Sequence, residues 1–246
     1  MPTLDKHKHY EFLFIGNSYT YYHDMPEQLF ANILKAAGYD AHVIKVTKGG
    51  WYLIDSANSE DEVGKLVDAA LQATKFDYVV LQEQSISPAK SVDKFYAGVQ
   101  NLNEKVRSNG ATPLLYGTWG RKAGHRVLAE NGWTNEEMTW KIAAAYEAVG
   151  KALGIDVAFA GLAFYDVYTN HPAIDLYDAD LTHPSLAGSY LAAMTIFAKI
   201  TGDDPTAIDF NSTLSAEDAA ILKEAARKAV FEIPAIPASY QTVVNV

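Results

Sequence analysis

Short apolar runs alternate along the chain with longer stretches whose apolar positions recur at helical spacing, which is the pattern of stacked βα units. The apolar runs predict strands over Glu11–Ile15, Ala41–Val46, Phe76–Leu81, Pro113–Thr118 and Asp156–Ala160, each followed by polar or glycine-containing residues. Strands that are apolar throughout suit a sheet covered on both faces. Helical periodicity predicts helices over Met25–Ala37, Glu60–Ala73, Val92–Ser108, Asn135–Leu153, Leu186–Ile200 and Ala216–Phe231. Asn58-Ser59 and Thr134 are expected to cap the second and fourth of these, and Gly38, Gly110 and Gly154 to stop the helices before them. Pro184-Ser185 should start the fifth. The expected fold class is α/β, a three-layer α/β/α sandwich around a mainly parallel five-stranded sheet. It forms one domain over residues 1–246, of which 232–246, ending in Thr242-Val243-Val244, is a C-terminal arm that either docks or adds an edge strand.

The 246 residues suffice for one continuous core, and a composition 49% hydrophobic and 20% charged is that of an ordinary soluble globule. No apolar stretch approaches the roughly 20 residues that span a bilayer, so no membrane partner is expected. A net charge of −10 without a Lys/Arg-rich run argues against nucleic acid. Absence of cysteine excludes disulfides, thiolate metal sites and a cysteine nucleophile. His7 and His9 alone do not make a metal site, and no metal is expected. The polar start MPTLDKHKHY lacks the pattern of a secretion signal, which makes the cytoplasm the default location unless a leader has been removed.

Candidate chemistry sits at two distant points. The first strand ends at Gly16-Asn17-Ser18, where a small-residue turn can hold a hydroxyl at the open edge of a sheet. Far downstream stands Asp180-Leu181-Thr182-His183-Pro184, whose Asp and His, three residues apart, lie on one side of a helix-like turn, so that the carboxylate can orient the imidazole. Gly49-Gly50 and Gln82 to Ser85 follow the second and third strands, and in an open parallel sheet these ends converge. Taken singly, Ser18 reads as a strand terminator and His183 as a surface residue before a helix; their order and placement together favour a nucleophile and its base. Asp178 is the rival orienting acid. His23 and Asp24 read as the lead-in to the first helix, and His125 and His171 as ordinary loop residues.

With these residues in place, the chain resembles the SGNH hydrolase superfamily, the GDSL-type esterases, in four ordered blocks between about Tyr10 and Ile200. The Gly-Asp-Ser block corresponds to Gly16-Asn17-Ser18, with Asn17 replacing the acid. The glycine of the second block corresponds to Gly50, with Gly49 as rival. The third block, usually Gly-x-Asn-Asp, is replaced by Leu81-Gln82-Glu83-Gln84-Ser85. Gln84 then stands in for the asparagine amide, with Gln82 as rival. The fourth, Asp-x-x-His, is matched in full by Asp180 to His183.

The resemblance implies a serine esterase with Ser18 as nucleophile, His183 as base, Asp180 as orienting acid, and Ser18, Gly50 and Gln84 as oxyanion donors. It implies no metal or organic cofactor and a small-molecule or carbohydrate ester as substrate, often acetylated. A lysophospholipase or thioesterase, a decayed carbohydrate-binding protein on the same fold, and a homo-oligomer built on the arm are the alternatives. Asn17, Tyr19, Trp51 and Trp119 are the expected substrate contacts. With Tyr21, Tyr22 and Tyr116 the aromatic ones crowd one edge, either as a sugar-stacking wall or as packing. The connection from Arg121 to Trp133 is read as a lid, an anion-binding rim or a disordered loop.

Overall fold

The computed structural model describes residues 4–242. Strands β1 (His9–Gly16), β2 (Asp40–Thr47), β3 (Tyr78–Leu81), β4 (Thr112–Tyr116) and β5 (Asp156–Ala158) form one sheet in the order β2-β1-β3-β4-β5, with every neighbouring pair parallel. This is the flavodoxin-like order, and the direction of winding reverses at β1, so a crevice opens beyond the carboxyl ends of β1 and β3.

The side chains of β1 show why the strands read as continuous apolar runs. Phe12 and Phe14 point into one core and Leu13 and Ile15 into the other, all four fully buried. Burial of each such side chain stabilises the fold by about 1.5–3 kcal/mol. The first core is closed by a π-helical segment, Met25–Phe30, that runs on into α2 (Ala31–Ala36), and by α9 (Ala160–Asn170), α10 (Leu186–Thr201) and α11 (Ala216–Phe231). The second is closed by α3 (Leu53–Ala57), α4 (Glu62–Ala73), α6 (Val92–Asn109) and α8 (Asn135–Leu153). Short helices α1 (Ser18–Tyr21), α5 (Ser87–Lys90) and α7 (Arg126–Asn131) lie in the connections that follow β1, β3 and β4.

Local chemistry sets most of the boundaries. Thr134 caps α8 reciprocally with Glu137, and Gly154 ends it in the left-handed region at φ 63°. Ser185 caps α10 by accepting from the N–H of Gly188 at 3.2 Å. The expected cap at Asn58-Ser59 is corrected: Asp61 caps α4, accepting from the Val63 N–H at 2.9 Å, because the chain first turns through an Asp61 N–H to Asn58 carbonyl bond. The fifth strand is also shorter than expected and gives way to α9, a helix the periodicity did not indicate. Its sequence AGLAFYDVYTN is apolar on too many sides and rich in strand-favouring residues.

The arm does not form a strand among the described residues; Ile236 and Tyr240 pack against the second core. Residues 243–246 of its expected apolar tail lie outside the described residues. No helix among the described residues is long and apolar enough to cross a membrane.

Candidate active site

The turn that carries Ser18 is built by a buried glutamine. Gln82, at the end of β3, accepts from the Asn17 N–H and from the Thr20 hydroxyl, both at 2.9 Å, and its amide N–H donates to the Glu83 carbonyl. Asn17 in turn caps α1: its side-chain oxygen accepts from the Tyr19 N–H at 3.2 Å, and its amide donates to the Trp51 carbonyl at 3.0 Å. Ser18 is therefore the first residue of α1, at the carboxyl end of β1, with its hydroxyl at the crevice.

The second limb comes from the segment before α10. Asp180 Oδ1 accepts from the Thr182 and His183 N–H groups at 3.0 and 2.9 Å, and Oδ2 receives the His183 ring Nδ1. His183 Nε2 lies 2.8 Å from Ser18 Oγ. The expectation of a helix-like turn is corrected here. The segment is a tight turn in which Leu181 adopts φ 64°, a left-handed conformation that costs a non-glycine residue about 1–2 kcal/mol. The loop after β4 holds that turn in place: Lys122 N–H donates to the Leu181 carbonyl at 3.0 Å and Trp119 Nε1 to the Thr182 carbonyl at 3.1 Å. Burial pushes the Asp180 carboxyl up, but hydrogen bonds from the His183 ring and from two backbone N–H groups outweigh it and hold the group below the ordinary value. The carboxylate is thus kept ionised beside the imidazole, the arrangement that lets His183 take a proton from the hydroxyl. Asp178 does not reach the ring; its N–H donates to the His183 carbonyl at 2.8 Å.

Ser18, Gly50, Gln84, Ser85, Arg121 and His183 surround a pocket of about 220 Å³. Gly50 adopts φ 76°, and its N–H and that of Ser18 have no partner among the described residues. Gly49 lies away from the pocket, against the Tyr21 ring hydroxyl. Gln84 Oε1 accepts from the Ile86 and Ser87 N–H groups at 2.9 and 3.2 Å, which fixes the amide and leaves its N–H₂ without a partner among the described residues. Both lie in the loop after β3, which turns Gln82 inward as scaffold and Gln84 to the crevice. Among the described residues no group of three or more His, Asp or Glu side chains is arranged to hold a metal ion.

Of the four expected substrate contacts, the two tryptophans are corrected. Trp119 is fully buried, stacked between Tyr19 at 4.6 Å and Phe164 at 3.8 Å, so no sugar can reach it. Asn17 and Tyr19 do line the pocket, though both are buried, Asn17 as the cap described above and Tyr19 with its ring against Trp119. Trp51 is half-buried, its Nε1–H on Asp61 and one face under Lys48, and it does not line the pocket. Tyr116 is fully buried too.

The rings beside the reactive pair are instead Tyr22, stacked on His183 at 4.3 Å and 5°, and Tyr21 stacked on Tyr22. Tyr22 was expected at this edge but not against His183, because contact with a residue over 160 positions away leaves no local signal. The connection after β4 is ordered around α7, with His125 as its cap, and Arg121 points back into the pocket.

No family model matches the chain, and no curated protein matches it. Among solved structures, a candidate SGNH hydrolase from Slackia heliotrinireducens is 31% identical over 80% of this chain and 100% of its own, with a TM-score of 0.67. A DUF4886 family protein from Bacteroides uniformis is 19% identical over 96% of this chain and 100% of its own, with a TM-score of 0.80. The acetyl xylan esterase AlAXEase is 17% identical over 76% and 98%, with a TM-score of 0.54. The last two speak to the fold alone. A relative 31% identical that this chain covers from end to end, on the sheet described above, makes the chain a member of the SGNH hydrolase superfamily and a serine hydrolase.

Proposed function

We propose that the protein hydrolyses a short-chain, acetyl-like ester of a polar, carbohydrate-like alcohol through an acyl-enzyme on Ser18. The observation that carries this reading is the unbroken chain of contacts from Ser18 Oγ, 2.8 Å from His183 Nε2, through the imidazole to Asp180. Ser18 Oγ bonds to the ester carbonyl carbon while its proton passes to Nε2, and the carbonyl oxygen becomes an oxyanion. The Ser18 and Gly50 N–H groups and the Gln84 amide are its donors; all three residues line the pocket, and these donors have no partner among the described residues. The carbon–oxygen bond to the alcohol then breaks, with the proton returned from His183, and water repeats the sequence to release the acid.

Two features support the substrate class. A pocket of about 220 Å³ accommodates a few heavy atoms beside the serine and disfavours a long acyl chain, which argues against a lysophospholipase. Tyr22 stacks on His183 and Tyr21 on Tyr22, so two half-buried amphipathic rings stand next to the base, which supports a polar, sugar-like alcohol. The test is hydrolysis of para-nitrophenyl acetate and longer homologues by wild type and Ser18→Ala, both checked for folding by circular dichroism. Turnover that depends on Ser18 and falls with chain length is expected. Equal turnover in Ser18→Ala would remove the serine from the mechanism.

A further inference from the structure

Arg121 is 8% exposed, yet it has no acidic partner among the described residues, whereas its neighbours Lys122 and Arg126 pair with Asp175 and Glu130. Its guanidinium donates from Nη1 to the Tyr19 hydroxyl and from Nη2 to Ser85 Oγ at 2.7 Å, and its Nε–H is buried without any partner. Two of five N–H donors are therefore used, both on neutral oxygens. Tyr19 does not supply the missing charge, because burial holds its phenol above the ordinary value despite the nearby cation. The Tyr19 ring, 5.5 Å from the guanidinium carbon, adds only a weak attraction. A buried cation left uncompensated is costly, and the mechanism above gives it nothing to do. It lines the same small pocket as Ser18 and His183.

We infer that the ester turned over at Ser18 carries a carboxylate, which binds Arg121 inside the pocket and sets substrate selection. One positive charge is matched by one carboxylate. A phosphate dianion would leave excess negative charge beside Asp180 in a chain of net charge −10. This inference rests on the serine-esterase reading and adds the charge of the substrate to it. The carboxylate belongs either to the acid or to the alcohol of the ester, and the same side chain serves both.

The experiment compares kcat/KM for two matched pairs with wild type, Arg121→Gln and Arg121→Lys. Para-acetoxybenzoate against para-acetoxybenzamide places the charge on the alcohol. Mono-para-nitrophenyl succinate against para-nitrophenyl butyrate places it on the acid. In one pair wild type should prefer the anionic ester, and that preference should fall by about tenfold or more in Arg121→Gln and partly survive in Arg121→Lys, while the neutral ester changes far less.

Neutral preference in both pairs, or an anionic preference that Arg121→Gln leaves intact, overturns the inference while the esterase reading stands. If Arg121→Gln does not fold, the wild-type preferences decide alone. If wild type hydrolyses none of the four, the esterase reading fails instead. Calorimetric titration of Ser18→Ala protein with para-acetoxybenzoate, monoethyl succinate and their neutral counterparts then decides: selective binding of either anion supports the role of Arg121, and its absence overturns it.

Discussion

Glu83 is fully buried between the loop after β3 and the start of α3, where its two oxygens accept from the Gln84 and Leu53 N–H groups at 2.7 and 3.3 Å. Burial raises its carboxyl from the ordinary 4.5 to about 7, against the pull of those two hydrogen bonds. The folded state thus holds the proton more tightly than the unfolded chain does. The associated stability is complete below the unfolded value and is lost as pH rises through about 7. The shift corresponds to about 3 kcal/mol between those limits.

Glu83→Gln removes the titration and, by turning an amide N–H₂ toward one of the two backbone donors, gives up one accepted hydrogen bond worth about 1 kcal/mol at every pH. The variant should therefore be less stable than wild type by about 1 kcal/mol near pH 4.5 and more stable by about 2 kcal/mol near pH 8, the sign reversing between. Urea unfolding followed by tryptophan fluorescence across that range reads the difference, in which the other titrating groups cancel. A difference that stays flat with pH would refute the assignment of a strained buried acid at Glu83.

Gln84→Ala should lower kcat by about a hundredfold with little change in KM, since it removes an oxyanion donor, whereas Gln82→Ala should chiefly lower stability, by about 2–4 kcal/mol, because it strands the Asn17 N–H and the Thr20 hydroxyl. Kinetics and urea unfolding on both variants check this split, and the opposite pattern would exchange the two roles. In Gly16→Ala the new Cβ would stand 2.5 Å from Thr20 Oγ1 and 2.7 Å from Gln82 Oε1. It should cost about 1–3 kcal/mol of stability and displace the nucleophile turn, seen as a loss of kcat/KM of about tenfold or more. Asp180→Asn should leave the fold intact and reduce kcat by about 10⁴-fold, measured on para-nitrophenyl acetate.

How far the sequence reveals this arrangement depends on the range of the interactions involved. The central strands were legible because both faces are buried, so β1 carries Phe12 to Ile15 without a polar break. Thr134 and Gly154 were legible because caps are local chemistry. Helix α9 was not, since Ala160 continues an apolar run and its helical fate is decided by packing in the first core. At the site, the order of the blocks indicated that Ser18 and the Asp180–His183 segment meet. Gln82 and Gln84 stayed rivals for the oxyanion amide, because the loop after β3 that separates their roles has no periodicity to read.

The aromatic edge stayed open between a sugar wall and packing for a physical reason. Tyr and Trp are amphipathic, and only the fold shows that Tyr19 and Trp119 form a buried stack while Tyr21 and Tyr22 line the rim. Arg121 stood in a connection open to several readings, and its return to the pocket depends on contacts with Tyr19 and Ser85, residues that periodicity cannot pair with it.

The most direct test of the central claim is covalent labelling with a fluorophosphonate, with the modified residue located by mass spectrometry in wild type and His183→Ala. An activated serine should give one adduct, on Ser18, formed rapidly in wild type and at least about a hundredfold more slowly without the imidazole. An adduct on another residue, none at all in folded protein, or the same rate in both proteins would contradict the account.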